Sequence, residues 1–211
     1  MTSQRVSIYM LDVHGWVIPV ARQIQMQNFK AFSAITIKPP ECNSVEYTVT
    51  LPRGKAEMKA ATRIIAWITT NDINNPKRLN PDNLDIEEFD DLVNVYAAAG
   101  AMQIKRQFRG DELRNTIYEY IKSSPLSYDE FAMIFDFLRF DFGLVKTAMH
   151  QVIFGKIKGG LKCPPELNKI KRFCENHSVW ENMMVIEAQI LEKMSKPKKK
   201  ETLSVEEATR I

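Results

Sequence analysis

The sequence predicts an α+β fold: a small sheet with packed helices, followed by an all-helical C-terminal extension. Three observations predict it. Strand-like runs are confined to the first 51 residues. From Lys55 onward apolar residues recur at steps of three and four, the helical period. The chain shows no internal repeat and no alternation of strand and helix, which separates it from parallel α/β architectures.

The strand half comes first. Val6, Ile8, Met10 and Leu11 form one β-rich run and Trp16–Val20 another, with His14-Gly15 between them. A glycine at such a break predicts a hairpin. Pro19 has no N–H for a ladder, so the second strand is expected to be short or at an edge. Residues 22–35, with Ile24, Phe29 and Phe32, read as one or two short helices that end before Pro39-Pro40. Val45, Tyr47, Val49 and Leu51 alternate with polar residues, the signature of a half-buried strand.

The helical half follows. Met58, Ala61, Ile65 and Ile68 form one stripe, and Ala60, Ile64 and Trp67 lie beside it, so this helix is expected to be covered on more than one side. Residues 71–87 are a long connection rich in Asn, Asp and Pro. Phe89, Leu92, Val93 and Tyr96 open the next helix. Leu113, Ile117, Tyr120 and Ile121 mark another, with Asp111 as its expected N-cap. Ser127 and Glu130 have capping-box spacing ahead of Phe131, Ile134, Phe135 and Leu138. Val145, Ala148, Met149, Val152 and Ile153 make a helix that Gly159-Gly160 ends. Pro164, Pro165 and Glu166 then start a short helix. A last, Met-rich helix runs from about Val179 to Met194. The expected organisation is a first domain over 1–122, a helical extension over 123–194 and a disordered basic and polar tail over 195–211.

Composition narrows the function. The 211 residues carry 29 Lys+Arg against 26 Asp+Glu, and the lysines at 196, 198, 199 and 200 alone exceed that surplus of +3. The rest of the chain is near neutral, so nucleic acid is an unlikely partner except indirectly through a complex. Three scattered cysteines argue against a disulfide framework. No apolar run approaches the ~20 residues of a spanning helix, and the start lacks an apolar signal region. These features give the expectation of a nuclear or cytoplasmic protein without membrane partners.

The helical half also resembles a known family. Ile65-Ala66-Trp67-Ile68-Thr69-Thr70-Asn71-Asp72, Leu92-Val93-Asn94-Val95-Tyr96-Ala97-Ala98-Ala99-Gly100-Ala101-Met102-Gln103-Ile104 and Leu113-Arg114-Asn115-Thr116-Ile117 are similar to three successive phrases of BTB/POZ domains, especially the stand-alone fungal kind. Residues 127–153 look like the extra helices of those proteins. In the first half Ile18, Val20, Arg22 and Phe32 fit, whereas Ala21 stands where that family has His, Gln25 where it has Leu and Phe29 where it has Ser. The resemblance implies a protein-interaction subunit or adaptor without an active site, of the kind that scaffolds a ubiquitin ligase or a chromatin or transcription complex. It also implies homodimerisation, which the three departures weaken because they fall where the family builds its dimer surface.

The candidate sites follow from these readings. Catalysis is not expected: no G-x-S-x-G, H-E-x-x-H or phosphate-cradling glycine loop occurs. The alternatives are an enzyme of unrecognised type, gathering His150 with Asp136 or Asp141, or a nucleic-acid-binding protein using the basic tail. Cys174 and His177 are a single close pair where zinc needs four ligands, so no metal or cofactor is expected. The candidate protein-interaction residues are Phe137, Phe140 and Phe142 near the bend at Gly143, Leu79 and Ile86 in the long connection, and Met183 and Met184 in the last helix; the other reading of the three phenylalanines is that the next helix covers them. That last helix has two readings, docking on the body or binding a partner. Lys196, Lys198, Lys199 and Lys200 read either as a solubilising tail or as a nuclear-import signal.

Overall fold

Val6, Ile8 and Met10 are all buried, which marks their strand as the centre of the sheet. In this computed structural model, which describes residues 4–12, 14–40 and 46–195, that strand is β1 (Arg5–Leu11). It pairs antiparallel with β2 (Val17–Gln25) and parallel with β3 (Tyr47–Leu51), in the order β2-β1-β3. The antiparallel pair closes through a tight turn, whereas a parallel pair needs a crossover. Asp12 builds the turn: its Oδ1 accepts the amides of His14 at 2.8 Å and Trp16 at 2.7 Å. Gly15 occupies φ +85°, a conformation that favours glycine. Pro19 lies opposite Tyr9 on the edge strand, where its missing N–H costs no ladder bond.

The expected helix over 22–35 starts later than the sequence suggested. Arg22–Gln25 continue β2, because β1 is long enough to pair Val6 with Ile24 and Arg5 with Gln25. A register shift near Ile8, with Gln23 at φ +57°, leaves Ile24 buried. Helix α1 (Met26–Phe32) buries Met26, Phe29 and Phe32 and leads into the crossover. Val45 lies outside the described residues, so β3 is seen from Tyr47.

Helix α2 (Met58–Thr70) buries Ala60, Ala61, Ile64, Ile65, Trp67 and Ile68, the two adjoining stripes expected of it. It packs on β2, α1 and helix α3 (Phe89–Ala101). Phe32 meets the Trp67 ring edge-on at 5.0 Å. Asp91 on α3 reaches Lys59 at 3.0 Å and Arg63 at 2.7 Å on α2. The end of α3 is clamped to the end of α1: Ser33 Oγ donates to the Met102 carbonyl at 2.7 Å, and Lys105 Nζ donates to the Lys30 and Ala31 carbonyls at 2.6 and 2.8 Å. A cation there complements the exposed carbonyls of a helix C-terminus.

Short helix α4 (Arg106–Arg109) leads to α5 (Glu112–Ser123). Asp111 stands at the N-cap position of α5, but its side chain makes no capping hydrogen bond. Helix α6 (Tyr128–Phe137) carries the full Ser127–Glu130 capping box. Helices α7 (Phe142–Lys158), α8 (Leu167–Asn176) and α9 (Trp180–Ser195) complete the described chain. The expected boundary at 122/123 falls at the end of α5, yet one hydrophobic core runs across it from Val6 to Ile190. Helices α3 with α6, α5 with α7 and α7 with α9 carry that core into the extension. No helix among the described residues is long and apolar enough to cross a membrane.

Gly155 marks the tightest joint in the extension. A Cβ there would lie 2.1 Å from the Lys162 carbonyl oxygen and 3.1 Å from Pro164, both part of the chain's return after α7. Gly155→Ala is therefore expected to destabilise the protein by about 2 kcal/mol. Differential scanning calorimetry should read this as a fall of roughly 4–8 °C in Tm; an unchanged Tm would show that the return loop is not seated on α7.

Candidate interaction surface

Leu138 closes α6 and, three residues on, Asp141 opens α7, so the chain turns within the stretch Leu138–Asp141. Asp141 holds this bend from three directions. Its Oδ2 accepts from Arg114 Nε at 2.7 Å and from the Tyr96 hydroxyl at 2.9 Å. Its Oδ1 accepts from Arg114 Nη2 at 3.2 Å and from the Leu144 amide at 3.2 Å, which caps α7. One carboxylate thus joins α3, α5 and α7. Burial alone would raise its pKa, but hydrogen bonds from Arg114, Tyr96 and Leu144 and the Arg114 charge outweigh burial and hold it below its ordinary value. Burial and the neighbouring Asp141 push the Tyr96 phenol up to about 12.

The two phenylalanines flanking Asp141 face outward: Phe140 is 51% exposed and Phe142 is 71% exposed. The Phe140 ring leans on Tyr96 at 5.5 Å and lies over Gly100, where a Cβ would approach it to 2.9 Å. Phe137 does not join them. It is half-buried against the core.

Several expected surface residues are core residues. Leu79 is fully buried, because the connection over 71–87 is fastened and not loose. The Asn71 side chain brackets Lys77, accepting from its amide and donating to its carbonyl at 2.9 Å each, and the Leu79 amide bonds the Phe108 carbonyl at 2.8 Å. Leu79 is the apolar anchor that this bracing drives inward, and Ile86 is half-buried against the core. Met183 is also fully buried, 3.1 Å from Cys174 Sγ. It shares with Ile186 and Ile190 the face by which α9 joins the core, and α9 packs on α7 and α8. Met184 is exposed, together with Val185, Leu191 and Met194, so α9 docks through one face and leaves apolar side chains on the others. Lys196, Lys198, Lys199 and Lys200 lie outside the described residues.

Two other sequence-level candidates resolve geometrically. The Cys174 thiol, pushed up to about 12 by burial and by Glu175, faces Met183, whereas His177 Nδ1 sits 2.8 Å from the Phe173 carbonyl. The two do not converge. Asp136 pairs with Arg139 at 3.5 Å and Asp141 with Arg114, so neither carboxylate meets His150.

His150 lies instead in a cleft of about 450 Å³ between α5 and α7, with Tyr118, Lys122, Lys146, Gln151 and Phe154. Burial, then Lys193 and Lys146, lower its pKa. Sequence reasoning missed this cleft. Its signal was present as Lys146, His150 and Phe154 at a spacing of four, away from the core side of α7.

Comparison with protein-family models, with curated proteins and with solved structures finds no match for this chain.

Asp141→Asn keeps the capping geometry but removes the charge that Arg114 and Tyr96 address. It is expected to cost about 2 kcal/mol at pH 7. A carboxyl whose folded pKa lies below its ordinary value of 3.8 stabilises fully above that value and loses the contribution as pH falls through the depressed one. The Tm gap between wild type and Asp141→Asn should therefore be widest near neutrality and close below pH 4. A gap independent of pH would rule out the charged hub.

Proposed function

We propose that this chain is a non-enzymatic subunit or adaptor that works by binding other proteins, on a BTB/POZ-like fold. The observation that carries the reading is the pair Phe140 and Phe142, held outward on a bend that Asp141 braces to three helices. Isolated exposed apolar side chains are ordinary on any surface. Here the Asp141 hydrogen bonds hold the bend that carries both rings, the Phe140 ring is steadied against Tyr96, and preordered apolar groups bind partners at low entropic cost. Aromatic anchors of this kind dominate interface energetics. The exposed Met184, Val185, Leu191 and Met194 on α9 add a second apolar surface.

The family reading draws support from the arrangement of its own phrases. Trp67 on α2 and Tyr96 on α3 belong to two helices packed on each other, with α2 against the sheet. The hairpin, the crossover through α1 and the parallel return of β3 give the small sheet that the resemblance implies. A scaffold in a ubiquitin ligase or in a chromatin or transcription complex fits such a protein.

Affinity purification of the full chain with mass spectrometry, beside a Phe140→Ser/Phe142→Ser variant, tests the proposal. Partner proteins are expected with wild type and should fall at least tenfold with the variant, its Tm being measured in parallel. A cullin among them selects the ligase setting and chromatin proteins the other. Identical recovery from both proteins would remove the aromatic pair from the interaction and the proposal with it.

A further inference from the structure

Helix α7 carries a second organised face beside the core one. Lys146, His150 and Phe154 succeed one another every fourth residue and line one wall of the cleft. That wall is about 12 Å long at the rise of an α-helix. Tyr118 and Lys122, one turn apart on α5, form the facing wall of the cleft. The resulting groove sets the Tyr118 and Phe154 rings beside the Lys122 and Lys146 side chains.

The cations are set against the rings rather than against acids. Lys122 Nζ lies 4.9 Å from the centre of the Tyr118 ring. Lys158 and Lys162 lie 5.7 and 5.9 Å from the centre of the Phe154 ring. A ring face occupies one side of an ammonium and leaves N–H donors for an anion. None of the described residues lining the cleft is acidic. Glu119 stands at the rim, 3.9 Å from Lys122, with both side chains at least half exposed, and a pair of that kind is worth little in water. Lys193 on α9 adds its field at His150.

We infer that this groove docks an acidic segment of a partner protein, with an apolar side chain beside its carboxylates. The inference rests on the interaction reading above and specifies the partner's chemistry. Carboxylates answer Lys122 and Lys146, and the apolar side chain answers the Tyr118 and Phe154 rings. A wall of about 12 Å accommodates roughly three or four extended residues. A nucleic acid fits less well: the two lysines of the lining neutralise few phosphates, and such affinity grows with the number of phosphates met.

A phage-displayed library of random 12-residue peptides, panned on the full chain, tests this, with selected peptides synthesised for fluorescence anisotropy. The expected result is enrichment of peptides with two or more acidic residues beside an apolar one. Lys122→Glu/Lys146→Glu, which alters only exposed side chains, should weaken their binding at least tenfold with Tm unchanged, and a thymidine 12-mer should not compete. Enrichment of neutral or basic peptides, no enrichment at all, undiminished binding by the charge-reversed protein, or displacement by the 12-mer overturns it. Partners recovered from cells that depend on Phe140 and Phe142 but survive Lys122→Glu/Lys146→Glu would overturn the acidic specification while leaving the interaction reading in place.

Discussion

The Asp141 carboxylate is the constraint on which the helical half depends. Helices α3, α5 and α7 come from distant parts of the chain, and hydrophobic contact alone would allow them to slide. Hydrogen bonds have direction, and four donors on one carboxylate fix three helices in one arrangement. Such an ion pair is weak evidence for stability in itself, because withdrawing charges from water offsets much of their attraction. Its effect is specificity: any shift of α5 or α7 leaves a partly buried carboxylate, guanidinium or phenol without its partner. Gly143 shows how tightly the site closes, since a Cβ there would lie 2.7 Å from Arg114 Nη2.

The sheet is subordinate to this helical frame. Strands β1 and β2 pack against α1, and β2 against α2; so small a sheet does not make an independently stable layer without helices over it. The crossover that brings β3 parallel to β1 is held at its far end by α3, through the Ser33 and Lys105 hydrogen bonds. The sheet, α2 and α3 thus form one packed unit. From α3 onward the same core runs through α6 and α7 to Ile190 on α9.

What could be read from the sequence follows from how local each signal is. The alternation over Tyr47–Leu51, the double stripe of α2 and the Ser127–Glu130 capping box are written within a few residues of themselves, and all appear in the structure. Arg22–Gln25 were misread because their strand state comes from pairing with Arg5–Ile8, and nothing in the segment itself records that partner. Leu79 and Met183, interaction candidates by sequence, are buried; an apolar residue in a polar loop, or on a Met-rich helix, can face either way until its tertiary neighbours are known. For Phe140 and Phe142 the sequence leaves two readings, an exposed patch or cover by the next helix, because they fall past the end of one apolar face and before the start of the next; both are exposed. The Asp141 hub was invisible: Tyr96, Arg114 and Asp141 are joined only by the fold.

Helix α7 separates what the fold needs from what it does not. Its buried residues, Leu144, Val145, Ala148, Met149, Val152 and Ile153, suffice to seat it against α5, α6 and α9. Phe142 adds nothing to that face, and a polar residue there would cap the bend equally well because the capping bond is made by Asp141. Lys146 and His150, further along the helix, line a cleft with the Tyr118 and Phe154 rings. An apolar side chain left 71% exposed on a hydrogen-bonded support gains little from intramolecular burial. Its gain comes when another surface covers it, and the lysines of the cleft that opens at Gly143 set the sign of charge that surface should carry.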